Sequence, residues 1–239
     1  MSDTSGRQSR HKKRPLTARH TAQRRSSESF EALVEKMSTG MARTAAHEID
    51  NEIERWLREI VLALDIDRSA VWERASPDAG FFSTHWWARP GIPKLPAEMF
   101  SQRISPWMTA QALAGRTIIY SSPEELPQEA RKLREYLKVY GPTAQVMLPF
   151  EIGGVIVGGL TCGRFRGPRD WHPKEVRRLR VVGQIFANAL DRKRTDLEVR
   201  KIQDEVTLAS RRSTMGELAA SIAHELSQPL GAILSNANA

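Results

Sequence analysis

One histidine near the carboxyl end of the chain, His224, has a sequence setting that suits chemistry better than packing. The apolar residues around it recur at spacings of 4, 3, 4 and 7 residues, as in a helix of a bundle or coiled coil: Met215, Ala219, Ile222, Leu226 and Ile233. His224 lies two residues from the nearest of these on either side, which predicts that it faces away from the apolar seam. Glu225 follows it, Gln228 shares its face one turn later, and Pro229 predicts a bend just beyond it.

These residue types suit the transfer of a phosphoryl group. An exposed, neutral imidazole can attack a γ-phosphate in line, and an unperturbed histidine titrates at about pH 6.5. A carboxylate beside it can accept the other ring N–H, which fixes the tautomer and raises the nucleophilicity. The alternative is an ordinary amphipathic helix that carries a surface histidine.

The segment from Met215 to Leu230 resembles the H-box of sensor histidine kinases, which lies in the first helix of the dimerisation and phosphotransfer (HisKA) domain. It reads Met215-Gly216-Glu217-Leu218, then Ala223, then His224-Glu225-Leu226-x-x-Pro229-Leu230, with Ser227 where one subgroup often has Asn. The resemblance implies that His224 is the phosphoacceptor and Glu225 its orienting acid/base partner. It also implies that Gln228 occupies the position where Asn or Thr often positions a water for phosphatase activity.

A complete kinase of this family also needs ATP and Mg²⁺, held by a separate domain with Asn- and Gly-rich boxes. We find neither those boxes nor a Walker-type phosphate loop in this sequence, which ends 15 residues after His224. We therefore expect that this chain alone neither binds ATP nor phosphorylates itself, and that it is the product of a truncated gene, an incomplete sequence, or a fragment phosphorylated in trans.

The composition indicates a cytoplasmic protein. One cysteine, Cys162, excludes an intramolecular disulfide and fits a reducing compartment. No stretch reaches 18 apolar residues, so we expect no membrane span, and the basic N-terminus lacks the apolar core of a secretory signal.

The net charge of +8 is concentrated at the N-terminus, because residues 1–25 hold eight basic side chains and one acidic one. Such a segment, rich also in Ser and Thr, predicts a disordered, solvated tail over residues 1–29. A regulator that binds nucleic acid through this tail is an alternative, but no recognition helix accompanies the charges, so we expect no specific nucleic-acid partner.

The middle of the chain alternates helical and strand patterns. Apolar spacing predicts a helix over 30–64 and an amphipathic helix over 123–139, with a short helix over 106–113 between them. Alternation predicts strands over 69–75, 81–87 and 117–120, and a hairpin of 145–152 and 155–165 around Gly153-Gly154. Pro173 opens a long helix that we expect to run almost unbroken to the H-box.

This order predicts an α+β fold and resembles a GAF domain, a sensory fold with a central antiparallel sheet and flanking helices, over residues 30–190. The runs PWMTAQALAGRTIIYSS, VMLPFEIGGVIVGGLTCGRF and EVRRLRVVGQIFANAL carry the resemblance. It implies a pocket for a small molecule, whose identity the sequence leaves open. The N-K-F-D-E pattern of members that bind cyclic nucleotides is absent, and Cys162 is followed by Gly163 rather than by the histidine that accompanies a bilin-attachment cysteine.

Three residues are candidates for contact with that ligand: His85, Trp87 and Trp107. His85 is either a haem ligand or pocket donor, or a structural strand histidine, and the tryptophans line a pocket or belong to the core. We expect no metal site, because His47 and His172 have no cluster of ligating residues at suitable spacing.

Near-heptad spacing of apolar residues after 176 predicts a coiled coil and hence a homodimer, the alternative being a single solvated helix. We therefore predict four segments: a tail over 1–29, a GAF-like domain over 30–190, a coiled-coil signalling linker over 191–212, and a partial HisKA helix over 213–239. The predicted function is the sensory and phosphoacceptor part of a two-component kinase, with a response regulator receiver domain as partner. The alternative is a non-enzymatic GAF protein that binds a ligand or dimerises.

Overall fold

The computed structural model describes the backbone of residues 16–74, 80–93 and 105–237. Side chains are described from residue 30 to residue 212 within those ranges, and at Met215 and Ile222. By chain contacts the protein divides into two units, Met1–Asp191 and Arg192–Ala239.

The first unit is built on a five-stranded antiparallel sheet with the strand order β2-β1-β5-β4-β3. The strands are β1 (Arg68–Arg74), β2 (Phe81–Ala88), β3 (Ile118–Tyr120), β4 (Ala144–Ile152) and β5 (Val155–Arg164). The helices are α1 (Leu16–Arg43), α2 (Ile49–Leu64), α3 (Pro106–Leu113), α4 (Arg131–Tyr140) and α5 (Pro173–Ala237). This architecture confirms the predicted GAF-like fold class, including the long C-terminal helix.

Each face of the sheet has its own apolar core. On the helix face, defined by Val71, Val146, Leu160 and Cys162, the sheet packs with buried residues of α1, α2 and the first turns of α5. On the opposite face, which we call the polar face, Trp72, Tyr120 and Met147 pack with α3 and α4. Strand side chains alternate between the faces, so Arg68, Gln145 and Thr161 also belong to the polar face.

The β4–β5 hairpin forms where the sequence predicts it. Gly153 and Gly154 both have positive φ, 57° and 80°, which a two-residue type I′ turn requires at both central positions. The short helix α3 also has its predicted bounds: Pro106 opens it, and Gly115 follows with a φ of 66°.

Two predicted helices are interrupted in the structure. The run over 30–64 breaks after Arg43, and Ala45 is extended, with φ −66° and ψ 150°, before α2 begins at Ile49. The run over 123–139 is helical as α4 only from Arg131, after two short 3-10 turns, because Pro127 lacks an N–H and Leu126 before it is extended.

Helix α1 begins at Leu16, so the basic tail predicted to be disordered over 1–29 overlaps a helix in its second half. This differs from the expectation of disorder; residues 1–15 lie outside the described residues. At the other end, the sequence predicts a helix that runs almost unbroken to the H-box, and α5 continues from Pro173 through that segment to Ala237.

Candidate functional site

The most unusual buried group on the polar face is the guanidinium of Arg68. Arg68 is the first residue of β1 and only 5% exposed. Its Nη1 donates a hydrogen bond to the carbonyl oxygen of Pro93 over 2.8 Å, and its guanidinium carbon lies 4.8 Å from the centre of the Phe165 ring. Burial lowers the pKa of Arg68 to about 10, with the nearby Tyr136 and Tyr120 opposing that shift. Arg68 forms no ion pair with any carboxylate of the described residues.

Arg68 belongs to a row of residues that crosses four neighbouring strands. It pairs with Gly163 of β5, which pairs with Gln145 of β4, which in turn pairs with Tyr120 of β3. The Tyr120 hydroxyl donates to Oε1 of Gln145 over 3.2 Å, and both side chains are buried. Because Gly163 carries no side chain, Pro142 packs over it, 3.0 Å from where an added Cβ would lie, so the guanidinium lies on one side of Pro142 and the tyrosine–glutamine pair on the other.

Further along β1 and β5 from this row, the polar face carries the aromatic side chains of Trp72 and Phe81. The ring of Trp72 lies across Gly159, where an added Cβ would be 2.0 Å from a ring carbon. The edge of Phe81 meets the same indole, with ring centres 4.7 Å apart at 85°. Only glycine permits this approach, so Gly159 fixes where the indole lies.

A buried aspartate, Asp67, anchors the start of β1 and so positions Arg68. Its Oδ2 accepts hydrogen bonds from the backbone N–H groups of Phe165 and Arg166, over 2.7 and 3.2 Å, and its Oδ1 accepts from Nε of Arg166 over 2.6 Å. Phe165 is thereby held where its ring covers the Arg68 guanidinium. Asp67 has its own cations, Arg166 and Arg89, and is directed away from Arg68.

The candidate ligand residues from the sequence do not come together. Trp87 packs against the core of the helix face, whereas Trp107 packs against the core of the polar face. His85 is buried on β2 with its Nε2 3.0 Å from Oδ1 of Asp50, a residue of α2. His85 and Trp87 therefore face the packed helices, and only Trp107 lies on the side of Arg68.

His85 has polar partners on both ring nitrogens. Besides the contact with Asp50, Nδ1 lies 2.9 Å from the Thr84 hydroxyl and 4.0 Å from Oε1 of Glu73. This arrangement fits the structural interpretation of His85 better than a haem ligand, which needs one nitrogen free.

Cys162 is fully buried on the helix face, among the apolar residues of that core. Burial raises the pKa of its thiol far above the ordinary range. The side chain is thus a small apolar filler, and it lies on the opposite face of the sheet from Arg68.

The residues that the H-box implies, His224, Glu225 and Gln228, lie within α5, but their side chains lie outside the described residues. No helix in the described part of the chain is long and apolar enough to cross a membrane. The same residues contain no group of three or more His, Cys, Asp or Glu placed to hold a metal ion.

Sequence reasoning missed Arg68, Tyr120 and Gln145. A signal was present. In β1, Arg68 is on the same side of the strand as Ala70 and Trp72, and a charged residue on the apolar side of a strand indicates a buried charge with a special role. Its burial, however, depends on β5 and on Pro93, which the local pattern does not reveal.

Comparisons with known proteins agree with the fold. A family model described as GAF domain matches residues 48–190. The sensor histidine kinase TmoS of Ectopseudomonas mendocina is 46% identical over 59 residues, which are 25% of this chain and 6% of that kinase. The chain thus spans a small fraction of that relative's length.

Solved structures of GAF domains resemble the chain at low identity. The blue-light absorbing form of the PixJ GAF domain of Thermosynechococcus elongatus is 16% identical, with a TM-score of 0.50, and the match covers 66% of this chain and 92% of that one. The phycoerythrobilin-bound GAF domain of a cyanobacterial phytochrome is 14% identical, with a TM-score of 0.55 and coverage of 70% and 97%. At these identities the likeness concerns the fold alone. Together with the family match over more than half of its length, it establishes that this chain belongs to the GAF domain family.

Proposed function

We propose that the chain is the sensory and phosphoacceptor portion of a cytoplasmic two-component sensor histidine kinase. In the complete enzyme the γ-phosphoryl group of ATP passes to His224 and then to an aspartate of a response regulator receiver domain. One observation carries the proposal: a single uninterrupted helix, α5, leaves the GAF domain and contains the H-box pattern around His224. The short similarity to a sensor histidine kinase supports it.

Within this proposal each H-box residue has a defined task. The imidazole of His224 attacks the phosphorus atom, and the Glu225 carboxylate accepts the other ring N–H and so holds the tautomer. Gln228, one turn later, is the position from which a side chain can orient a water for dephosphorylation of the regulator. ATP and Mg²⁺ belong to a separate ATP-binding domain, which supplies the phosphoryl group.

We further propose that α5 pairs with its counterpart in a second chain. Beyond Asp191, several large apolar side chains of α5 are about half exposed in the single chain: Leu197, Val199, Ile202, Val206 and Leu208. Exposed apolar residues on a helix whose other positions are charged are typical of a coiled-coil seam. A homodimer would cover them and link the two sensory domains to the two H-boxes.

A covalent bilin is not part of the proposal, although the solved relatives include bilin-bound domains. The sequence contains one cysteine, and that residue, Cys162, is fully buried on the helix face. A chromophore attached there would displace the core formed with α2 and α5. The sensory ligand must therefore be held without a thioether bond.

Phosphorylation in trans tests the proposal. The chain is incubated with γ-labelled ATP and a related complete kinase whose own phosphoacceptor histidine is replaced by glutamine. We expect an acid-labile, base-stable label on the wild-type chain and none on a His224→Gln variant. His47→Gln, which alters an exposed histidine at the start of the GAF domain, is the matched control and should retain the label.

A label that persists in His224→Gln would refute the assignment of the phosphoacceptor. A wild-type chain that takes up no label, while the donor kinase phosphorylates its own H-box helix supplied separately, would favour the alternative function of a GAF protein that binds a ligand without phosphotransfer.

A further inference from the structure

The polar face holds a buried cation that, within the described residues, lacks the carboxylate partner such a group normally has. Arg68 is buried, and within the described residues its charge is met by a carbonyl oxygen, an aromatic face and two tyrosine side chains. Buried charges in proteins are normally paired, because removing an ion from water without a partner costs several kcal/mol. A buried guanidinium without a carboxylate partner among the described residues is therefore a candidate for pairing with a bound anion.

The hydrogen-bonding capacity of Arg68 is also largely unused. A guanidinium has five N–H donors, and the described residues accept from one of its nitrogens, Nη1. Across the sheet, Oε1 of Gln145 accepts a hydrogen bond from the Tyr120 hydroxyl. The row from Arg68 to Tyr120 therefore offers donors and a positive charge but no anion.

The surroundings of this row are apolar and aromatic. Trp72 and Met147 are buried on the same face, and Trp107 and Ile156 are partly buried beside them. A ligand that fits such surroundings carries an aromatic body, and one that neutralises a guanidinium bidentately carries a carboxylate. An aromatic carboxylic acid combines the aromatic body and the carboxylate in one small molecule.

We propose that the polar face binds an aromatic monocarboxylate, with the carboxylate paired to Arg68 and the ring packed against Trp72. The inference rests on the proposed sensory function, since it names the class of ligand that the GAF domain would detect. It does not require phosphotransfer, so the two can fail separately.

Benzoate and benzamide form the test pair, because they have the same shape and differ in charge. We expect benzoate to raise the Tm of the full chain and to change its tryptophan fluorescence, and benzamide to do neither at the same concentration. Arg68→Met should weaken benzoate binding by at least roughly 30-fold, since it removes one partner of a buried charge pair. Arg116→Met, which alters an exposed arginine of the same domain, should bind as the wild type does.

The ligand-free variants separate a binding role from a structural one. If the role of Arg68 is to bind a ligand, Arg68→Met keeps or raises the Tm of the ligand-free chain, because it removes a buried charge that no carboxylate of the described residues compensates. If Arg68 serves only to hold Pro93 and Phe165, the Tm falls, and the proposal is overturned. It is also overturned if the wild-type fluorescence and Tm do not respond to benzoate, or respond equally to benzamide.

Discussion

The two faces of the sheet each bury one basic side chain, and they treat it differently. On the helix face, His85 lies 3.0 Å from Asp50 and 4.0 Å from Glu73, so acidic groups from α2 and β1 surround it. On the polar face, Arg68 is equally buried but pairs with no carboxylate of the described residues. The difference indicates that His85 completes the packing of the fold, and it is the basis for the proposal that a bound anion pairs with Arg68.

The same contrast extends to the apolar residues. The helix face is closed by three helices whose buried side chains form one continuous core. The polar face is covered by two short helices, α3 and α4, and Arg68, Gln145 and Tyr120 lie in one row across it. One face therefore supplies most of the packing, and the other is available for recognition.

The largest expected effect comes from Gly159→Ala, on the polar face. The new Cβ would lie 2.0 Å from the indole of Trp72, which is buried and unable to move without disturbing Phe81. We expect the free energy of unfolding to fall by about 1–3 kcal/mol or more, measured by urea denaturation.

Gly183→Ala in α5 is the matched control on the helix face. There the nearest atom to an added Cβ is a ring carbon of Phe150 at 3.6 Å, an ordinary contact. This variant should gain about 0.5–1 kcal/mol from helix propensity. Equal stability of the two variants would contradict the described packing of Trp72.

An intermediate effect is expected for His85→Leu. The substitution removes the contacts with Asp50 and Thr84 while keeping a similar volume, so we expect a loss of about 1–2 kcal/mol in the free energy of unfolding. The thermal response to benzoate should remain unchanged. If His85→Leu abolished that response instead, the two buried basic residues would not have the separate roles assigned to them.

The smallest effect concerns Cys162. Burial raises the pKa of the thiol, so the folded chain holds no thiolate at pH 8, and a thiol-reactive disulfide reagent should modify it only at the rate of unfolding. Above the ordinary thiol pKa the unfolded chain releases a proton that the folded chain keeps, so this residue lowers stability as the pH rises. Rapid modification of the native chain at pH 8 would place Cys162 outside the core.

Local signals were sufficient for much of the fold. Gly153 and Gly154 allow the positive φ angles of a tight turn, and Pro106 suits the first position of a helix. Both signals are local, and the structure shows the turn and the helix start as predicted. Pro127 is an equally local signal. It prevents a continuous helix there, although the apolar spacing around it is regular. The break at Ala45 has no comparable residue: apolar spacing continues through it, and the packing of α1 against α2 decides it.

The candidate site was harder to predict because its residues are distant in sequence. Tyr120 and Gln145 are 25 residues apart, and Arg68 meets them only through the strand order of the sheet. His85 is a ligand candidate by its sequence because its partner, Asp50, lies 35 residues earlier and the local pattern does not reveal their contact. Residue type alone does not distinguish a histidine with acidic partners from an arginine that pairs with no carboxylate of the described residues.

The position of the phosphoryl group on the chain tests the functional account most directly. After phosphorylation in trans, the chain is digested under neutral or basic conditions that preserve phosphohistidine, and the modified peptide is identified by mass spectrometry. We predict that the phosphoryl group lies on the imidazole of His224. A phosphoryl group on any other residue, with His224 unmodified, would contradict the account.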